Sequence, residues 1–430
     1  MSVSHFRFMP LAARAALAFA IGAAALQVQG ASPLTLDEAL RLAQQRSRQL
    51  GAEALSAQAS RSMAVAAGQR PDPTLKAGIN NLPIDGPDRF AITRDFMTMR
   101  SVALMQDLTR SAKLQARAAR FVREAEVADA TRGMALANLQ RDTAIAWLDR
   151  HYQERMHEML VAQRDEAKLQ IAAADAAYRG GRGSQADAFA ARSAAALIED
   201  RIAQSERQVA TATTQLARWI GSPAAEPLAA APALDSVDLH AGDLEAALAH
   251  HPEIAIALKR EALAQADAEV ARTNKQTDVS VELMFSQRGP AYSNMVSLNL
   301  AIPLQWDTKN RQDRELAAKL ALVERARAER EETARMHEAE TLAMLQEWRS
   351  NRERLLRYDG ALIPLAGERT RAAIAAYRGG GGMLTAVLEA RRGEIDMRIE
   401  RLRLEMDTAR LWAQINFLVP AEAHPAAATR

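Results

Sequence analysis

The chain contains no cysteine. Disulfide staples, thiolate metal sites, a cysteine nucleophile and a lipidated N-terminal cysteine are therefore excluded. Aromatic residues are scarce, 4% of 430. Without them, and without a basic patch, the chain lacks the stacking and phosphate-binding surface that nucleic acid requires. Long apolar runs are missing as well. No stretch beyond the start reaches the roughly eighteen residues that mark a membrane-spanning helix. If this chain enters a bilayer, it does so through strands closed into a barrel. Chemistry-bearing motifs are absent too. There is no Gly-x-Ser-x-Gly, no phosphate loop ending in Gly-Lys-Ser/Thr and no His-Glu-x-x-His, so neither an enzyme nor a cofactor is expected. The eight histidines are scattered, and His151 and His157, six apart, do not share a helical face. The sixteen methionines fall mostly at core spacing, so no resident metal site is expected.

What is abundant is Ala, Leu, Arg, Glu and Gln, a composition that favours long helices. Residues 1–31 read as a secretory signal. Arg7 and Arg14 make a positive start, Ala15 to Leu26 is a short apolar run, and small residues Gly30 and Ala31 follow. That segment holds two of the 55 basic residues and none of the 53 acidic ones, so the remainder is close to neutral.

The rest contains one unit twice. Leu36-Asp37-Glu38-Ala39-Leu40 opens the first copy, residues 32–225. Leu244-Glu245-Ala246-Ala247-Leu248 opens the second, residues 239–420. Residues 226–238, in a Pro- and Ala-rich stretch, read as a linker, and 421–430 as a loose tail. Ala-Tyr-Arg-Gly-Gly recurs at Ala177–Gly181 and Ala376–Gly380, with Arg192 and Arg391 at equal spacing beyond. Heptad seams run along the long segments: Leu114, Ala118, Phe121, Ala125, Ala128; Ile198, Ile202, Ser205, Val209, Ala212, Leu216; Ile395, Ile399, Leu402, Met406, Ala409, Ala413. From Ser111 to Tyr178 no proline interrupts, which predicts a rod on the order of 100 Å long.

Four stretches alternate with period two, at about 74–80, 97–106, 279–286 and 294–302. The second is irregular, with Arg100 on its apolar face. Each is near the nine to eleven residues of a tilted membrane strand. Four strands are too few to close a barrel, since the smallest single-chain barrels use eight, so several chains must pool theirs. The polar faces, with Lys76, Asn80, Glu282 and Asn299, would then line a wet lumen.

The exported start and the double helix–strand pair–helical hairpin unit resemble the TolC-type outer-membrane efflux family. The matching residues are Leu36–Leu40, His251-Pro252-Glu253-Ile254, Ile302-Pro303-Leu304 and the two Ala-Tyr-Arg-Gly-Gly turns. Arg70–Leu75 and Lys113–Arg117 look like the heavy-metal (cobalt–zinc–cadmium) branch. The resemblance implies a mainly α fold with a small β-barrel part. It implies a homotrimer that pools twelve strands in outer-membrane lipid, with a periplasmic helical tunnel below. A periplasmic adaptor protein and an inner-membrane pump would be the partners, and metal cations or other small toxic solutes the cargo. It also implies adaptor-docking turns at Tyr178, Gly180, Gly181, Gly379 and Gly380. A periplasmic gate would involve Asp187, Arg192, Tyr377, Glu389 and Arg391. Two positions depart from the family: Gly382 stands where some relatives carry a gating arginine, and Ala386 where an aspartate is common. The rival readings are a soluble periplasmic coiled-coil scaffold or adaptor, and a secretion channel for proteins.

Overall fold

The computed structural model describes residues 33–237 and 249–420. The signal segment, the Leu244–Leu248 opening of the second copy and the tail after 420 lie outside the described residues.

Helices dominate. In the first copy α1 (Leu36–Arg46) and α2 (Arg48–Ala67) lead to β1 (Thr74–Asn80) and β2 (Met99–Leu108). Next come α3 (Ser111–Arg179) and α4 (Gln185–Ile220). In the second, α5 (Pro252–Asn274) leads to β3 (Val279–Gln287) and β4 (Met295–Ala301). Then follow α6 (Gln312–Arg357), a π-helical turn (Tyr358–Leu362), α7 (Ile363–Arg378) and α8 (Leu384–Asn416).

α3 is the backbone of the molecule. Its 69 residues are continuous, about 100 Å of helix. Near its start it packs on α2 and α5, midway on α1, and towards its end on α4 and α8. The core sits at the middle section. Trp147, Leu148 and Tyr152 of α3 are buried there with Leu216 and Ile220 of α4 and Leu402, Met406, Ala409 and Ala413 of α8. The small alanines let the helices approach closely, and larger side chains such as Ile202 and Leu216 fill the seam between them.

Residues 226–237 are not a free linker. Leu34 pairs with Leu228 in a parallel bridge. The Leu34 N–H donates to the Pro227 carbonyl at 2.8 Å, and the Ala229 N–H donates to Leu34 at 3.0 Å. The Trp147 indole N–H also donates to the Leu34 carbonyl, at 3.1 Å, and Val237 is buried against Leu345, Trp348 and Leu411. The stretch is a strap bound over the core, because its backbone groups and apolar side chains find partners there.

The strands form one antiparallel sheet in the order β1-β2-β3-β4. Five of the eight strand boundaries differ from the sequence expectation, each by one or two residues. β2 starts at Met99 rather than 97, because the Asp95 carboxylate accepts from the N–H groups of Met97 and Thr98 at 2.8 and 3.0 Å. That side-chain turn takes both groups out of the ladder. β2 then runs to Leu108, paired with Val279 at the start of β3. β4 ends at Ala301 rather than 302, as Pro303 supplies no N–H.

Candidate functional site

The sheet has two unlike faces. By register, Leu75, Ala77 and Ile79 stand beside Leu104, Val102 and Arg100. These neighbour Leu283, Phe285 and Gln287. Leu283 and Phe285 in turn meet Leu298 and Val296 of β4. This face is apolar and uncovered: Leu75 is 70% exposed, Val296 69% and Leu298 72%. Arg100 is its one charged member, at the loop-side end, where its guanidinium donates to the Arg288 carbonyl at 3.5 Å. An isolated chain with so continuous an apolar face marks a contact surface for lipid or protein.

The opposite face is polar and internally bonded. The Lys76 ammonium meets the Glu282 carboxylate at 2.6 Å, and the Asn299 amide donates to the same carboxylate at 3.0 Å. Lys76 also lies 3.3 Å from the Met105 sulfur. Asn80 donates to Ser101 at 2.8 Å. Three of the four residues expected in a lumen therefore form one cross-strand cluster, and Asn80 sits further along the same face. The partners Ser101 and Met105 lie in the irregular stretch, where period-two reading had no clean signal for them. Both outer edges of the sheet, β1 and β4, carry unpaired backbone groups, a template for further strands.

The other end of the molecule holds the two turns. After α3, the N–H of Gly180 donates to Ala176 at 3.0 Å, and that of Arg182 to Ala177 at 2.9 Å. After α7, Gly379 donates to Ala375 at 2.9 Å and Gly381 to Ala376 at 3.1 Å. Gly181 and Gly380 have φ of +69° and +78°, a conformation that costs a residue with Cβ. Tyr178 is 49% exposed. Tyr377 instead packs with Ala174, Ala191, Leu384 and Val387, the cluster that joins the two tips.

The five expected gate residues are placed as follows. Asp187 forms a capping box with Ser184: the Ser184 N–H and hydroxyl donate to its carboxylate at 3.0 and 2.7 Å, and the Asp187 N–H donates to the Ser184 hydroxyl. The Ser184 N–H holds its carboxyl below the usual aspartate range, with help from the hydroxyl. Arg192 pairs with Asp175 across its own hairpin at 3.2 Å. Arg391 reaches Glu166 of α3 at 2.5 Å and Glu394 at 3.5 Å, so it links the two hairpins. Glu389 is exposed and has no ion pair among the described residues. Within one chain, then, none of the five is bonded to another. Glu394 was visible from sequence as the i+3 neighbour of Arg391; Asp175 and Glu166 were not, since only packing brings their helices alongside. At Gly382 an added Cβ would lie 2.9 Å from the Tyr377 nitrogen and 3.0 Å from the Ala376 carbonyl carbon. A side chain at this position would press on that backbone, as glycine does not.

No described helix is long and apolar enough to cross a membrane. Among the described residues no group of three or more His, Asp or Glu could hold a metal ion.

Solved structures share this fold. The outer-membrane channel OprN matches over 90% of this chain and 90% of its own, with a TM-score of 0.74 and 16% identity. The outer membrane protein VceC of Vibrio cholerae matches over 89% and 95%, at 0.73 and 18%. CusC, described for its folding and transmembrane channel formation, matches over 90% and 92%, at 0.72 and 16%. The likeness is one of fold. No family profile and no curated protein matches the chain by sequence.

Proposed function

We propose that this protein is the outer-membrane exit duct of an efflux system. The observation that carries the reading is the four-stranded sheet, with one uncovered apolar face, one bonded polar face and two open edges, set at one end of a helix about 100 Å long. An open edge is not tolerated in lipid, so several chains pool their strands; the resemblance to the TolC-type family implies three chains and one twelve-stranded barrel. The apolar face meets outer-membrane lipid and the Lys76–Glu282–Asn299 cluster faces the lumen. The helices continue the passage through the periplasm, where the glycine turns dock an adaptor that joins an inner-membrane pump. A soluble scaffold would have no use for the uncovered apolar face. The cargo is metal cations or other small toxic solutes, and a wet duct needs no dedicated pocket for them.

Fractionation tests the location: the protein is expected as a detergent-requiring outer-membrane oligomer, and recovery in the soluble periplasm overturns the proposal. For the gate, Asp187→Ala and Glu389→Ala are each expected to raise resting conductance in planar bilayers. Parental conductance in both removes these residues from the gate. Deleting the gene is expected to sensitise cells to Co, Zn or Cd, and unchanged sensitivity to all three removes the metal branch.

A further inference from the structure

The two hairpins differ halfway along. α3 is unbroken, but its counterpart in the second copy changes to a π-helical turn at Tyr358–Leu362 before resuming as α7. There the Ile363 N–H donates to the Tyr358 carbonyl, five residues back. The cause is Pro364, which has no N–H for the Gly360 carbonyl and whose ring crowds that carbonyl. Gly360 itself lies in the turn, and a Cβ there would meet nothing within 4 Å.

A salt bridge spans the turn. Arg401 of α8 donates through Nε and Nη2 to the two oxygens of Asp359 at 2.9 and 3.0 Å. It also pairs with Glu405. Arg401 holds the Asp359 carboxyl below its ordinary range. Counting from the equivalent tyrosines Tyr178 and Tyr377, Asp359 and Arg401 fall on Leu160 and Ile202 of the first hairpin. Those two are buried apolar residues, 5% and 4% exposed. Two buried apolar residues of one hairpin are thus matched by a two-oxygen ion pair in the other, beside the helix break.

The elements beyond the break are held unequally. α8 has thirteen buried residues and α7 one, Thr370. Four ion pairs fasten α8 to the first hairpin: Arg410–Asp149 at 2.7 Å, Arg155–Glu405 at 3.7 Å, Arg391–Glu166 at 2.5 Å and Arg201–Asp396 at 2.7 Å. α7 has no such ion pair with α3 or α4 among the described residues; it is held at its tip end, where Ala373, Ile374 and Tyr377 pack on Ala174, Ala191, Leu384 and Val387. An open groove of about 620 Å³ adjoins Asp359 and Arg401, lined also by His151, Tyr152 and the Ala230–Asp235 strap, and gives the turn room.

We propose that the π-helical turn is a hinge latched by Asp359–Arg401, about which α7 pivots while α8 stays fastened to the first hairpin. The latch suits reversible release, because Asp359 is half exposed and Arg401 keeps Glu405 when the pair opens, whereas the Leu160 and Ile202 positions would have to expose apolar surface. π-helical turns recur at functional sites.

Hydrogen–deuterium exchange on the full-length protein in detergent tests this independently of cargo or conductance. In the parent, amides of 358–366 are expected to exchange at least tenfold faster than the equivalent 159–167. Asp359→Asn, in which Arg401 keeps Glu405, is expected to speed exchange across 358–378 a further fivefold or more and leave α8 unchanged. Pro364→Ala is expected to slow 358–366 towards the rate of 159–167. Equal protection of the two segments in the parent overturns the hinge. So does Asp359→Asn that leaves α7 unchanged or loosens α8 as much. If Asp359→Asn does not fold, the parent comparison and Pro364→Ala decide, and a Pro364→Ala protein that exchanges like the parent overturns the proposal.

Discussion

The first and second hairpins end in the same glycine turn yet restart differently, and the difference lies in a few positions. Ser184 caps α4 with Asp187 completing the box. At the equivalent places the second hairpin has Met383 and Ala386, and α8 starts without a side-chain cap. Arg192 bonds within its hairpin, to Asp175, whereas Arg391 bonds across to Glu166 of the first. Halfway up, Leu160 and Ile202 are replaced by Asp359 and Arg401 beside a broken helix. At the tip, Arg192 ties the first hairpin to itself, and Arg391 ties the second to the first. The two hairpins thus share their turns, which backbone geometry dictates, and differ where side chains decide how rigidly each is held.

Moving the charge into the first hairpin breaks the comparison most severely. Leu160→Asp buries an unpaired carboxylate and is expected to cost about 3 kcal/mol or more. Adding Ile202→Arg is expected to recover part of that loss, measured by thermal unfolding in detergent; full additivity of the two losses would show that the sites do not couple.

The junction of the second copy carries a pH dependence of its own. His251, which caps α5 by accepting the Glu253 N–H at 3.3 Å, lies 4.1 Å from the ring of His337. His337 bonds Glu253 at 2.6 Å and lies 3.3 Å from Glu340. Burial, and secondarily His337, lower the His251 pKa to about 4, against a smaller opposing pull from Glu253. The unfolded chain therefore takes up the proton first, and stability falls as pH drops from about 6.5 towards 4, by roughly 2 kcal/mol. His251→Asn is expected to flatten that slope in unfolding curves taken across this range.

Smaller effects are expected at the tips. Gly382→Ala is expected to cost about 1–2 kcal/mol, since its Cβ meets backbone at 2.9 Å. Gly183→Ala, with 3.2 Å to the Ala177 side chain, is expected to cost less, and equal losses would mean that the two turns relax alike. Smallest is the cap. Ser184→Ala is expected to cost about 1 kcal/mol, and Met383→Ser with Ala386→Asp to add a similar amount to the second hairpin. Exchange rates in the first turns of α4 and α8 check both.

Much of the fold was legible along the chain, for identifiable reasons. The period-two stretches place all four strands to within a few residues, because alternation is a local consequence of the pleat. The proline-free run predicts α3, and the repeated Tyr-Arg-Gly-Gly predicts both turns. The misjudged start of β2 came from Asp95, a side chain competing with the ladder. Residues 226–238 read as a linker from composition, since nothing local reveals that Leu34 and Trp412 bind the described part of it. Of the candidate site, the polar sheet residues were legible by face. The partners of the tip residues were not, because Asp175 and Glu166 sit on α3, whose alignment with α4 and α8 depends on packing.

By itself, then, the amino-acid sequence determined the local conformations: where helices run, where Pro364 interrupts one, which strand residues share a face and where glycine must turn. Only the tertiary structure decided which charges meet. Lys76 finds Glu282, Arg391 finds Glu166 and Arg401 finds Asp359 because separate elements are laid side by side, and ion pairing depends on distances that no local pattern encodes.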